Sequence, residues 1–248
     1  PARKKIGFDW KRSKELHFPF TSHHIPYQPY RHVLDGFMEF VTYLGVPEID
    51  NVKWNLPIKD EDQQWVKQQP FSSKSYVVIN GAASKLERSW SHEKYAELAE
   101  YLHGKGYAIV LTGGPGKLDR EIADKIIDYA DIELVDLVGK TSLSQLVCLL
   151  GQAKLVVAPD TGPAHLGVAA GAPVLGLYAH SNPRRTGPYL FQDEVVSVYD
   201  EVIKEQTGQD WKQLRWGKRA KGTNLMERIS LEQVIASVDQ LLAHKTLE

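Results

Sequence analysis

From Ser75 to Tyr199, short runs of β-branched and other apolar residues alternate with longer amphipathic segments. "SYVVIN", "YAIVLT", "IELVDLV", "KLVVA", "PVLGLY" and "VVSVY" predict strands, and several are apolar at consecutive positions. That pattern is expected of a parallel sheet with helices over both faces. Between them, "SHEKYAELAEYLHGK", "KLDREIADKIIDYA", "SLSQLVCLLGQ" and "GPAHLGVAAG" predict helices by spacing or by start signals such as Ser91 followed by Glu93. Strand and helix in alternation predict an α/β fold, a doubly wound, Rossmann-like domain with a parallel sheet. Ligands of such sheets bind at the carboxyl ends of the strands, and the unusual loops of this chain fall there.

Before Ser75 the pattern changes. "KKIGFDW" predicts one strand, "YRHVLDGFMEFVTYLG" a helix with an apolar stripe, and "DEDQQWVKQQ" a polar helix leading into the sheet domain. One strand with two helices cannot bury a core alone, so residues 1–74 are expected to be part of another domain with a crossing segment. Residues 75–229 are expected to form the Rossmann-like domain, with a polar, basic loop, "KEQTGQDWKQLRWGKRAKGTN", after Tyr199. A last helix over 230–246, capped by Ser230, is expected to pack back toward the N-terminal part.

Composition narrows the classes. With 42% apolar residues, 25% charged residues and a net charge of −1 over 248 residues, the chain has an ordinary globular make-up and no bulk attraction for nucleic acid. The single cysteine, Cys148, sits in the apolar pattern "LSQLVCLL", which points to a small buried hydrophobe in a reducing compartment. No apolar run approaches the roughly 18 residues of a membrane span, and the start of the chain lacks the apolar core of a signal peptide, so a cytoplasmic location is expected.

Four loops carry candidate chemistry. In "VVAPDTGPAHLGVAAGAPVLGLY", Asp160 and Thr161 end a strand and a helix begins near Gly162 and Pro163. Thr161 suits a helix cap, Pro163 suits a first turn whose N–H would go unpaired, and Gly162 lets a ligand approach the backbone. Free N–H groups at a helix N-terminus make an anion site, to which His165 adds a hydrogen bond or a positive charge. The plainer reading is a tight turn in which Asp160 and Thr161 only cap the helix. "NGAASKLERSW" follows a strand with the small residues Gly81, Ala82, Ala83 and Ser84 and then the cation Arg88, a set able to cradle a diphosphate. "LTGGPGKLDREI" places Gly113, Gly114 and Gly116 after a strand, but not in the order of a dinucleotide fingerprint; a ribose or base would rest there near Asp119 or Glu121. "AHSNPRRTGPY" supplies Ser181, Arg184, Arg185 and Thr186.

Other signals are weaker. His23 and His24 lack a second ligand pair, so no metal site is expected. There is no G-x-S-x-G elbow and no P-loop. Lys212, Arg215, Lys218, Arg219 and Lys221, interleaved with Trp211 and Trp216, read as a solvated loop rather than a lipid- or saccharide-binding patch.

Taken in order, "GAASKLERSWSHEKYAELAEYL", "LTGGPG", "LVGKTSLSQLVCLLGQAKLVVAPDTGPAHLGVAAGAPVLGLY" and "NPRRTGPY" resemble glycosyltransferase family 9, the ADP-heptose:lipopolysaccharide heptosyltransferases. D-T-G-x-x-H before a small-residue helix is the most specific element. The resemblance implies a GT-B architecture of two Rossmann-like domains facing across a cleft, this chain holding the nucleotide-sugar-binding domain and part of the acceptor domain.

It further implies that Thr161 and Gly162, with Asp160 and His165, hold the donor diphosphate, and that Ala83, Ser84 and Arg88 line it, Arg88 standing where such enzymes usually have lysine. Lys117 stands where a glutamate commonly meets the nucleoside, leaving Asp119 or Glu121 as its replacement. Lys14 matches a basic position that faces an acidic acceptor sugar.

The general base is expected in a segment preceding residue 1, so the catalytic residue is unknown, and the chain is expected to bind donor but turn over poorly. The implied reaction is inverting and metal-independent, needs no cofactor, and joins ADP-heptose to the lipopolysaccharide core, with possible peripheral contact at the inner face of the membrane. A transferase of another donor such as a UDP sugar and a non-catalytic nucleotide-binding module are the rival readings.

Overall fold

The computed structural model describes residues 2–49 and 51–244, in two units that divide between Val52 and Lys53. In the first unit, strand β1 (Ile6–Gly7) pairs in parallel with β2 (His23–His24), Ile6 opposite His23, and helix α1 runs Val33–Tyr43. The single strand expected here is therefore two short ones. The His23 and His24 read as poor metal ligands form β2, where the His24 ring stacks on Phe18 at 3.8 Å. The centre of the unit is Arg12. Its guanidinium donates to Asp9, to Glu39 on α1 and to the Pro26 carbonyl, and it lies 5.0 Å from the Phe8 ring centroid.

The second unit opens with α2 (Asp60–Lys67), which the sequence grouped with the N-terminal part. Val66 and the following Phe71 are instead buried with Tyr76, Leu149 and Leu150 under the main sheet, which draws the boundary back to residue 53. Then follow β3 (Tyr76–Asn80), α3 (His92–Gly104), β4 (Ala108–Thr112), α4 (Lys117–Tyr129), β5 (Val135–Asp136), α5 (Leu143–Gln152), β6 (Leu155–Pro159), α6 (Gly162–Ala169), β7 (Val174–Tyr178), α7 (Pro183–Thr186), β8 (Val196–Ser197), α8 (Tyr199–Thr207) and α9 (Leu231–His244). All six predicted strands of the sheet form, in the parallel order β5-β4-β3-β6-β7-β8.

The two-residue period of a strand sends alternate side chains to opposite faces, and the core divides accordingly. Val77, Ile79, Ile109, Leu111, Val157 and Leu177 face a layer that includes Leu98, Ile122, Val202 and Val234 from α3, α4, α8 and α9. Val78, Val110, Val156 and Ala158 face a layer that includes Val66, Leu149, Ala164 and Val168 from α2, α5 and α6. Cys148 is in this second layer, where burial raises its thiol pKa.

One further expectation is corrected. Part of the segment read as loop after Tyr199 is α8, because Val202 and Ile203 reach the core; the helix stops at Gly208, whose φ of 70° is the left-handed cap conformation. The last helix, capped reciprocally by Ser230 and Gln233, lies on α3: Val234 and Val238 join the Leu98 and Leu102 layer, and Asp239 accepts from Tyr101 at 2.7 Å. Residues 245 and 246 of that predicted helix lie outside the described residues.

Candidate functional site at the sheet switch point

Strand order reverses direction between β3 and β6, because β4 and β5 lie to one side of β3 while β6, β7 and β8 lie to the other. A crevice opens at such a switch point, outside the carboxyl ends of the strands. The two loops that enter it are the small-residue loop after β3 and the Asp-Thr-Gly-Pro-Ala-His turn after β6, both singled out from sequence. Asn80 Oδ1, Thr112 Oγ1 and Thr161 Oγ1, at the ends of β3, β4 and β6, are buried side-chain oxygens with no hydrogen-bond partner among the described residues. Buried polar atoms are nearly always paired, so this clustering marks the place where a ligand or water completes the structure.

Thr161 is the N-cap of α6, extended at φ −143° and ψ 166°, and its side chain makes no cap hydrogen bond. The first-turn amides of α6 are therefore not consumed by the side chain best placed to take them. Small residues bring this helix close to the sheet: a Cβ on Gly167 would stand 2.9 Å from Val174 Cγ2. A Cβ on Gly162 would meet nothing within 4 Å, so the entrance to the turn is open. Asp160 accepts a hydrogen bond from the Ser181 hydroxyl, which ties the turn to the segment after β7. The His165 ring opens to solvent one turn along α6; the protein atoms around it lower its pKa by desolvation, against the pull of the Asp160 charge. Near neutral pH it is thus an uncharged hydrogen-bonding group, which an arriving anion would push toward the charged form. Buried Tyr178, whose hydroxyl donates to the Thr186 carbonyl at 2.9 Å, has a pKa raised well above the usual value by burial and then by the Asp160 charge.

The loop after β3 is closed by its own hydrogen bonds. Asn80 Nδ2 donates to the Ala82 carbonyl at 2.8 Å, and the Ala83 amide donates to Ser89 Oγ at 2.9 Å. Ala83 can therefore offer a ligand its small size but not its N–H. Ser84 is exposed and Arg88 half-buried at the end of the 3-10 turn Leu86–Arg88. Near the glycine loop after β4, Asp119 Oδ1 accepts from the Gly114 amide at 2.8 Å, and a Cβ on Gly113 would stand 2.9 Å from that same oxygen. The carboxylate thus holds the glycine loop in shape, while Glu121 pairs with Lys117 at 3.4 Å on the exposed first turns of α4. Lys14, in the first unit, is exposed in a turn, its carbonyl accepting from the His17 amide at 2.9 Å.

Sequence reasoning missed His180. It is buried just past β7, with Nε2 2.8 Å from the Glu87 carbonyl and Nδ1 3.3 Å from the Ala220 carbonyl. One ring joins the loop after β3, the segment after β7 and the basic segment before α9. The available signal was its position, a histidine at the carboxyl end of a buried parallel strand.

This arrangement suits a phosphorylated ligand: open amides at a helix N-terminus, an unpaired threonine hydroxyl, an adjacent imidazole and a half-buried arginine. Among the described residues there is no group of three or more His, Cys, Asp and Glu side chains able to hold a metal ion. Residues 1–214 match the family described as glycosyltransferase family 9 (heptosyltransferase). The chain belongs to this family.

Among its relatives, the lipopolysaccharide core heptosyltransferase OpsX of Haemophilus influenzae is 40% identical over 97% of this chain and 69% of its own length. The crystal structure of a family 9 glycosyl transferase from Veillonella parvula superposes with a TM-score of 0.74 at 25% identity, over 98% of this chain and 68% of that one. The structure of Escherichia coli heptosyltransferase WaaC with ADP superposes at 0.64 with 22% identity, over 95% and 65%, a likeness of fold alone. The α/β fold is thus that of the GT-B glycosyltransferases, as the family resemblance implied. In this member of family 9, the Asp160–His165 turn and the loop after β3 leave the carboxyl ends of two neighbouring strands, β6 and β3.

Proposed function

We propose that this chain takes part in transferring a heptose from ADP-heptose to the inner core of lipopolysaccharide, by a direct inverting displacement that needs no metal, and that its second unit binds the donor. The observation that carries the reading is the switch-point crevice, where the Thr161 hydroxyl and the first turn of α6 lack partners beside Asp160 and His165. Thr161 and Gly162 bind the diphosphate through hydroxyl and backbone, His165 adds a ring hydrogen bond, and Arg88 and Ser84 close the other side. These groups stabilise the negative charge that builds on the diphosphate as the anomeric C–O bond breaks. Attack by the acceptor hydroxyl also requires a base within hydrogen-bond reach, and we assign none among the described residues. Lys14 is assigned to the acidic acceptor. Because that acceptor is a membrane glycolipid, the reading puts the protein in the cytoplasm in peripheral contact with the inner membrane; no described helix is long and apolar enough to cross one.

Calorimetric titration with ADP, UDP and GDP tests this. ADP is expected to bind in preference to the other two, and Asp160→Ala and His165→Ala are each expected to weaken it. A preference for UDP would move the function to another sugar donor. Binding that ignores both substitutions would remove the turn from the site.

A further inference from the structure

Arg184 and Arg185 are neighbours on α7 with opposite surroundings. Arg184 forms a two-pronged pair with Asp200, both distances 2.9 Å, and its guanidinium carbon lies 4.6 Å from the Trp211 ring centroid. Arg185 is half-buried, and among the described residues no carboxylate, carbonyl or hydroxyl accepts a hydrogen bond from it. Its side chain lies against the backbone of the basic segment: a Cβ on Gly217 would stand 3.0 Å from Arg185 Nε and 3.4 Å from Cζ.

Two charges act on this guanidinium, Arg219 from the same basic segment and Asp160 from the turn after β6. Burial lowers the Arg185 pKa first and Arg219 lowers it further, while Asp160 opposes them. The Asp160 carboxylate already takes the Ser181 hydroxyl bond. Two like-charged arginines, one of them half-buried and without a protein acceptor, leave a local excess of positive charge and the N–H donors of Arg185 open to a ligand. A half-buried guanidinium without a protein acceptor keeps its planar fork available to phosphate, whose oxygens match it.

We propose that Arg185, assisted by Arg219, is a second anion-binding arm of the crevice, beside Asp160, that grips the phosphoryl oxygens of the donor diphosphate. The proposal rests on the donor reading above. It gives the two arginines of "NPRRTGPY" separate tasks: Arg184 anchors α7 to α8 through Asp200, and Arg185 faces the ligand.

The test is titration of the full chain with ADP, inorganic pyrophosphate and adenosine, in the wild type and in Arg185→Met, Arg185→Lys and Arg219→Ala, with melting curves to confirm folding. Arg185→Met is expected to weaken ADP and pyrophosphate about tenfold or more, the scale of one desolvated charged hydrogen-bonding contact, and to leave adenosine unchanged. Arg185→Lys is expected to recover part of the loss, because charge returns without the fork. Arg219→Ala, at an exposed position, is expected to cost about threefold.

If Arg185→Met binds ADP and pyrophosphate as the wild type does, the arm does not exist while the donor reading stands. An equal loss of adenosine binding would show a merely structural arginine and would also overturn the proposal. If pyrophosphate binding depends on Arg185 but ADP binds no better than UDP, the arm stands and the adenine donor falls. A wild type that binds none of the three overturns both.

Discussion

Arg12 in the first unit and Arg185 in the second are both largely shielded arginines set among loops, and they differ in one respect. Arg12 is saturated. Asp9, Glu39 and the Pro26 carbonyl take its donors, and although burial alone would lower its pKa, the hydrogen bonds to Asp9 and Glu39 raise it. Arg185 receives no such partner, and burial lowers its pKa. A guanidinium that the chain satisfies by itself is an internal strut, since its geometry is complete before any ligand arrives. One left without a protein acceptor is half of an interaction. The same distinction separates Arg184 from Arg185 within a single turn of helix, and the Ala83 amide from the Thr161 hydroxyl within the two crevice loops.

The largest effect is expected at Arg12. The side chains of Arg12 and Glu39 are only 15% and 11% exposed, so Arg12→Ala would leave two shielded carboxylates without their common partner. A loss of about 3 kcal/mol is expected in urea unfolding, near the lower end for breaking a buried pair from one side. ADP binding should persist in conditions where the variant remains folded. A loss below about 0.5 kcal/mol, typical of neutral surface changes, would mean that the network is no strut.

The next largest effect is expected at Gly162, where stability and binding should separate. Alanine fits there without a clash, so the melting temperature of Gly162→Ala should hold or rise slightly, while ADP binding weakens about tenfold because the new methyl occupies the ligand's approach to the α6 amides. Unchanged ADP affinity by calorimetry would move the phosphates away from this turn.

The smallest effect is expected from Arg184→Met. Its pair with Asp200 is exposed on both sides, at 46% and 47%, so stability should fall by no more than about 1 kcal/mol and ADP affinity should stay within error. Set beside Arg185→Met, this variant sharpens the contrast: a large loss of ADP binding in Arg184→Met would reverse the roles given to the two residues.

Much of this was readable along the chain. Consecutive apolar positions in "YVVIN" and "LVVAP" specify strands buried on both faces, and their alternation with capped helices specifies a doubly wound sheet, because these periodicities are local consequences of backbone geometry. The Asp160–His165 turn was legible for the same reason, as an unusual set of residues in a strand-to-helix connection. Where the reading failed, distant packing overrode a local cue. The polar stretch after Tyr199 still forms a helix because Val202 and Ile203 find the core, and α2 joins the second unit because Val66 and Phe71 do. Folding adds to Asp119, read as a ligand contact, a second task, since one of its carboxylate oxygens holds the Gly114 amide.

The sequence by itself determined the elements, their order and the loops that carry unusual chemistry, since each of these depends on residues within a few positions of one another. Only the tertiary structure decided which polar groups are spent and which remain open. Ser181 reaches Asp160 across 21 positions, and the His180 ring stands 2.8 Å from the Glu87 carbonyl across 93. Arg184 and Arg185 carry the same local signature, and only the side chains that folding brings to each tell them apart. Pairing over such separations follows from sheet order and helix packing, which no short window of sequence contains.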